Sequence, residues 1–166
     1  MRKLCAASQK LVLSRIVDLL DKKVVTTSEA WRLFSSIKPS HSFARGKNPD
    51  HVVNFTADEV KHLKALKMKV RARLESAASR RCSYCKRVMG NYAYSWQIEH
   101  IRCKSKRSDL AFDMDNLALA CIDCNYAKAK SVDRSKPYVY DIIDPNGPKF
   151  RYGEHLQFFH LSTEDI

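Results

Sequence analysis

The sequence predicts an α+β protein, with helices through its first half followed by a small strand–strand–helix unit built around a metal. Three observations carry this. Apolar residues recur at helical spacing over 4–20 and again over 56–79. Residues 94–101 alternate instead and are rich in aromatic and β-branched side chains, the pattern of a strand. Two Cys-x-x-Cys pairs, Cys82/Cys85 and Cys121/Cys124, supply four thiolates, the set that closes a tetrahedral zinc site at about 2.3 Å per bond.

In chain order, Leu4, Ala7, Leu11, Ile16, Leu19 and Leu20 mark a first helix. Thr26-Thr27-Ser28-Glu29 opens a second that runs through Ile37 and stops before Pro39. Residues 40–54, with Gly46, Asn48 and Pro49, read as a polar loop. Thr56-Ala57-Asp58-Glu59 fits a capping box, in which each end residue satisfies the other's free backbone donor. The helix it opens should reach about Ser79 and bury Leu63, Leu66, Val70, Leu74 and Ala77, leaving Lys61, Lys64, Lys69, Arg71 and Arg73 outside. Leu117–Ala120 is the expected return strand for 94–101, and a helix follows from Ile122 to about Lys130. Past Pro137, Tyr138–Tyr140 and Ile142–Ile143 suggest a strand, Asp144–Pro148 a turn, and His155–Leu161 a segment packed on the outside of the metal unit. The chain thus divides into an N-terminal helical region (1–55), a basic helix (56–80), the metal module (81–136) and a C-terminal extension (137–166).

The 166 residues suit one compact unit with a real core. No run of about 18 apolar residues is present, so no membrane-spanning helix is expected. Gln9, Lys10, Arg15 and Asp18 interrupt any apolar core of a signal peptide. Six cysteines, four of them at metal spacing, then point to a reducing compartment, the cytoplasm. Cys5 and Cys103 are left as unpaired thiols. The net charge of +12 is concentrated: residues 61–107 hold fourteen Lys/Arg against Glu75 and Glu99, and the rest of the chain sums to zero. Such a block attracts a polyanion in a salt-sensitive way, although a Lys-rich helix is also an ordinary solvated face.

The stretch between the two cysteine pairs, residues 86–120, is longer than the gap of roughly 15–20 in a zinc ribbon. It contains Trp96-Gln-Ile-Glu99-His100-Ile101 and Asp115-Asn116-Leu117, and the second pair runs on as Cys121-Ile-Asp-Cys124-Asn125-Tyr-Ala-Lys128. Over residues 82–130 this order and spacing resembles the HNH nucleases, in the four-cysteine zinc variety whose last His is replaced by Asn. It departs from that pattern at Cys103, where the family often has Pro, and at 104–108, where a Gly-rich turn is common.

The resemblance implies a ββα-metal fold clamped by structural Zn²⁺, with His100 as general base and Glu99 and Asn125 as ligands of a catalytic Mg²⁺ or Mn²⁺. It also implies Asn116 orienting His100. Lys128, one helical turn past Cys124, is placed to meet a phosphate. Glutamate and asparagine offer the hard oxygens that such ions prefer, and histidine is the common base for activating water. In a regular strand Glu99 and His100 point to opposite faces, so the strand should end, bulge or twist at this pair. Asn116 is also a common turn residue, and Asn125 a common helix-start residue. His41, His51, His62, His155 and His160 lack partners at ligand spacing and read as structural or surface residues. The expected function is a metal-dependent endonuclease acting on DNA. RNA cleavage and a zinc-stabilised nucleic-acid-binding module without catalysis are the alternatives. The N-terminal helices and Asp144-Pro145 with His155–Phe158 also resemble the HNH subunits of Septu-like anti-phage systems, which work beside an ATPase.

Overall fold

The computed structural model describes residues 1, 4–88, 90, 96–131, 144 and 145. Among these, the elements run α1 (Ala7–Asp21), α2 (Thr27–Ser35), β1 (Ser40–Arg45), β2 (Asn48–Asn54), α3 (Ala57–Ala77), β3 (Trp96–His100), β4 (Leu117–Cys121) and α4 (Ile122–Ser131), with 3₁₀ turns at Ser108–Leu110 and Met114–Asn116. This is the α+β class the sequence predicts. No helix among the described residues is long and apolar enough to cross a membrane. The strand, turn and packing segment expected over 138–143, 146–148 and 155–161 lie outside the described residues, as do Tyr94 and Ser95.

Local chemistry sets the helix starts. At α2 the Thr26 hydroxyl accepts from the Glu29 amide at 3.3 Å while the Glu29 carboxylate accepts from the Thr26 amide at 2.7 Å. Thr56 and Glu59 repeat the reciprocal pair at α3, at 3.2 and 2.8 Å. At α1, Ala6 has no capping side chain, and Gln9 accepts from its amide at 3.0 Å instead. This helix begins three residues later than its apolar pattern suggests. Its buried face is Gln9, Val12, Leu13 and Ile16, while Leu11 is 75% exposed. On α3 the stripe Leu63, Leu66, Val70 and Leu74 is buried as expected; Ala77 is exposed and Ala78 takes the next inward position.

Residues 40–54 are not a loop. They form an antiparallel hairpin, with Ser40 opposite Asn54 and Arg45 opposite Asn48. Gly46 opens the two-residue turn at φ +65°, a conformation that only glycine adopts without strain. His41 and Phe43 alternate inward with Val53, and this face closes on Phe55 and the helices. The N-terminal region is therefore helical with a β-hairpin inserted. Pro49 misleads because it removes a backbone donor, yet an isolated two-stranded ribbon has an outer edge where that loss is tolerated. Arg45 fixes the hairpin to α2 through both Glu29 carboxylate oxygens, at 2.7 and 3.2 Å.

β3 and β4 form a second, separate hairpin. One continuous cluster of buried side chains links α1, α2, the first hairpin and α3 to Cys82, Tyr84, Trp96, Leu117, Leu119, Ala120 and Cys121. Helix α3 thus backs onto β4 and carries the cysteine-bracketed unit on the same core as the N-terminal helices.

Candidate active site and metal centre

The first cysteine pair lies in a tight knuckle after α3. The Cys82 amide donates to the Arg87 carbonyl at 3.0 Å, and the Lys86 amide to the Cys82 carbonyl at 3.0 Å. The Ser83 amide reaches across to the Leu119 carbonyl of β4 at 2.9 Å, which brings this knuckle against the second pair at the start of α4. All four sulfurs lie within 4.8 Å of one another, and Cys85 Sγ and Cys121 Sγ are 3.8 Å apart. A tetrahedron with bonds of about 2.3 Å has edges of about 3.8 Å, so the set is close to a zinc site and needs at most a contraction of about 1 Å to hold the ion. The electrostatics agree. Burial, then the hydrogen bond its thiol donates to Cys121 and the charge of Cys82, push the Cys124 thiol far above its ordinary range. Four sulfurs this close cannot all ionise unless a cation joins them.

β3 and β4 pair in regular register, from Trp96 opposite Cys121 to His100 opposite Leu117. The strand does end at His100, without a bulge, but this ending does not turn Glu99 and His100 to the same side. The two side chains do diverge. Glu99, only 5% exposed, lies on the side covered by α4 and the first knuckle. Its Oε2 accepts from the Tyr84 hydroxyl at 2.6 Å, and its Oε1 receives the Lys128 ammonium of α4. Lys128 also donates to the carbonyls of His100 and Ile101. Asn125, one turn earlier on α4, donates through Nδ2 to Gln97 Oε1 on the same strand face. Glu99, Asn125 and Lys128 therefore share one side of β3. Lys128 is directed onto Glu99 and the strand-end carbonyls.

His100 faces the other way, 6% exposed, toward α2 and the loop before β4. Its Nε2 lies 3.0 Å from the Ala111 carbonyl, and its ring meets Trp31 edge-on with centroids 4.3 Å apart. A carbonyl can only accept, so this contact puts the hydrogen on Nε2 and leaves Nδ1 as the basic atom. Burial, and then the charges of Lys104 and Lys128, depress the imidazole to about 4, only partly opposed by the Ala111 hydrogen bond. The ring is a neutral base. Its side chain makes no hydrogen bond to Glu99 or Asn125 among the described residues.

Asn116 is buried and clamps two loops. Its Oδ1 accepts from the Arg102 amide at 2.8 Å, and its Nδ2 donates to the carbonyls of Arg102 and Leu110 at 3.1 and 3.2 Å. These contacts hold the residue after Ile101 and the residue before Ala111, and the Asn116 side chain makes no hydrogen bond to His100 among the described residues. Two side chains in contact with these residues escaped the sequence reading. Tyr84 carries a signal in retrospect, since it is the large polar residue inside the first Cys-x-x-Cys. Trp31 has none, lying on a helix remote in sequence.

The basic helix divides by environment. The Lys67 ammonium donates to the Ser35 carbonyl, Lys69 to Gln9 at 3.0 Å, and Arg71 to Glu75 at 2.8 Å. Lys61, Lys64 and Arg73 are exposed, with no ion pair or hydrogen bond among the described residues. Of the other histidines, His41 is a packed, structural ring: it lies among Phe43 and Phe55, and burial lowers its basicity.

Residues 82–131 match the family model of the HNH endonucleases. No curated protein and no solved structure gives a significant match to the chain. The cysteine-bracketed unit thus matches the HNH endonuclease family, and that match implies a nucleic acid as its substrate.

Proposed function

From an HNH module that carries a fitted four-cysteine site, we propose that the protein is a metal-dependent endonuclease that hydrolyses phosphodiester bonds in DNA. One observation carries this reading: the matched segment lays α4, with Asn125 and Lys128, over the Glu99 face of a strand that ends in a histidine with one free basic nitrogen. Glu99 and the carbonyls of His100 and Ile101 already surround a cation, the Lys128 ammonium, so this pocket has the hard oxygen donors that suit a divalent ion. Glu99 and Asn125 would hold Mg²⁺ or Mn²⁺, and such an ion, when bound, supplies Lewis-acid stabilisation of phosphate and leaving oxygen. His100 takes the proton from water at Nδ1, while the Ala111 carbonyl keeps Nε2 protonated. Asn116 fixes the loops that set this ring. Lys128 neutralises Glu99 here; an ion held by Glu99 would take over that role and free the ammonium to meet a phosphate. The zinc knuckles fix α4 against a hairpin with too little apolar mass to hold itself. Lys61, Lys64 and Arg73 supply sequence-independent attraction to the polyanion.

The test is incubation of purified protein with plasmid DNA and with RNA, in Mg²⁺, Mn²⁺ or EDTA. DNA cleavage that needs the divalent ion and is lost in His100→Ala, with zinc content and DNA affinity retained, supports the reading. Undiminished cleavage by His100→Ala overturns the assignment of the site, and cleavage of RNA alone overturns the substrate. A place in anti-phage defence beside an ATPase subunit rests only on the Septu-like resemblance of the chain ends, and co-purification with such a subunit tests it.

A further inference from the structure

We propose that Trp31, on α2 and outside the matched nuclease segment, is a positioning residue for His100, so that the N-terminal helices complete the catalytic site. The inference rests on the reading of His100 as general base.

The Trp31 and His100 rings meet at 4.3 Å between centroids with planes at 75°. This is the edge-to-face arrangement that aromatic quadrupoles favour. Trp31 is itself held. Its ring lies 5.3 Å from Phe34 and 5.8 Å from Phe112, and Phe34 meets Phe112 edge-on at 6.2 Å. Phe34 is fully buried in the core, and Phe112 directly follows Ala111, whose carbonyl bonds His100 Nε2. The aromatic cluster therefore grips both the imidazole and the loop that anchors it. The covalent bond at Cγ and the hydrogen bond at Nε2 fix two points of the ring and leave it rotation about the line between them. The Trp31 ring removes this freedom and fixes where Nδ1 points. Helix α2 is a rigid support for the task, being capped by Thr26 and Glu29 and tied to the hairpin by Arg45. Misplacing a reacting group by about 1 Å can cost roughly 100-fold in rate.

The experiment compares Trp31→Phe, Trp31→Leu and Trp31→Ala with His100→Ala in the zinc-loaded full chain. It measures zinc content, DNA affinity and single-turnover cleavage at saturating DNA. Trp31→Leu keeps apolar bulk and preserves folding if alanine does not. The expected result is a loss in kcat of about 10–100-fold in Trp31→Leu with KM and zinc nearly unchanged, largely restored in Trp31→Phe. The His100 ring-proton resonances should also lose the shift caused by the indole ring. If His100→Ala is inactive while Trp31→Leu retains parental kcat, this inference alone falls. If His100→Ala cuts at the parental rate, the reading of the site falls and this inference with it.

Discussion

Replacing Tyr84 by phenylalanine removes one oxygen atom and tests how the zinc knuckle serves the carboxylate. The Tyr84 hydroxyl donates to Glu99 Oε2 at 2.6 Å, with Tyr84 9% and Glu99 5% exposed. Burial, followed by the charge and hydrogen bond of Glu99, pushes the phenol far above its ordinary range, so it stays a donor at every usable pH. A hydrogen bond to a charged group is worth about 1.5–3 kcal/mol, against about 0.5–1.5 for a neutral pair. Tyr84→Phe should therefore cost about 1.5–3 kcal/mol in the parent, since among the described residues Glu99 keeps only Lys128 as a charge partner. In a Glu99→Gln background the same change should cost only about 0.5–1.5 kcal/mol. The difference is the coupling between hydroxyl and carboxylate. Urea unfolding of all four chains at fixed free zinc measures it, because metal release would otherwise mix with unfolding. In a domain of this size the parental loss should appear as a fall in Tm of roughly 3–12 °C. An equal cost in both backgrounds would show that the hydroxyl does not serve the Glu99 charge.

Chelation of zinc, or Cys82→Ser, should unfold the module rather than merely slow it, because metal binding and folding are one event in such sites; far-UV circular dichroism unchanged after complete zinc removal would refute this. Neutralising Lys61, Lys64 and Arg73 together should flatten the plot of log DNA affinity against log salt by up to about 0.9 for each phosphate no longer neutralised, and an unchanged slope would place the binding surface elsewhere. With His100 held at about 4, below the ordinary value of about 6.5, its basic form persists into acid. Cleavage at pH 5.5 should therefore stay within about twofold of that at pH 7, whereas a midpoint near 6.5 in the rate profile would contradict the buried-base geometry. The same shift makes the folded state lose this group's share of stability as pH falls from about 6.5 toward 4, since the unfolded chain then binds the proton first. Both ring nitrogens of His41 are buried without a hydrogen-bond partner among the described residues, so His41→Leu should stabilise the fold by about 1–3 kcal/mol; a lower denaturation midpoint would show that the ring has a partner.

Where the determining contacts are short-range, the sequence determined the result by itself. The Thr56–Glu59 box and the Leu63, Leu66, Val70, Leu74 stripe define α3 because caps and helical faces depend on residues three and four apart. The two cysteine pairs announce the metal site for a similar reason: within each pair the spacing places both sulfurs on one turn. The 40–54 hairpin is hidden from the same local logic, since Pro49 and the polar residues around Gly46 have the chemistry of a loop, and only burial of His41, Phe43 and Val53 against the helices makes them strands. The candidate site divides in the same way. Its ingredients, Glu99, His100, Asn116, Asn125 and Lys128, stand in recognisable order along the chain. Which of them meet was decided in three dimensions: β3 sends Glu99 toward Tyr84 and Lys128 and sends His100 toward Trp31 and Ala111. Adjacent strand residues must part to opposite faces, and what each face meets depends on the helices folded over it. Residues 31 and 100 share no local signal, and it is the common core of α2, α3 and the β3–β4 hairpin that brings them together.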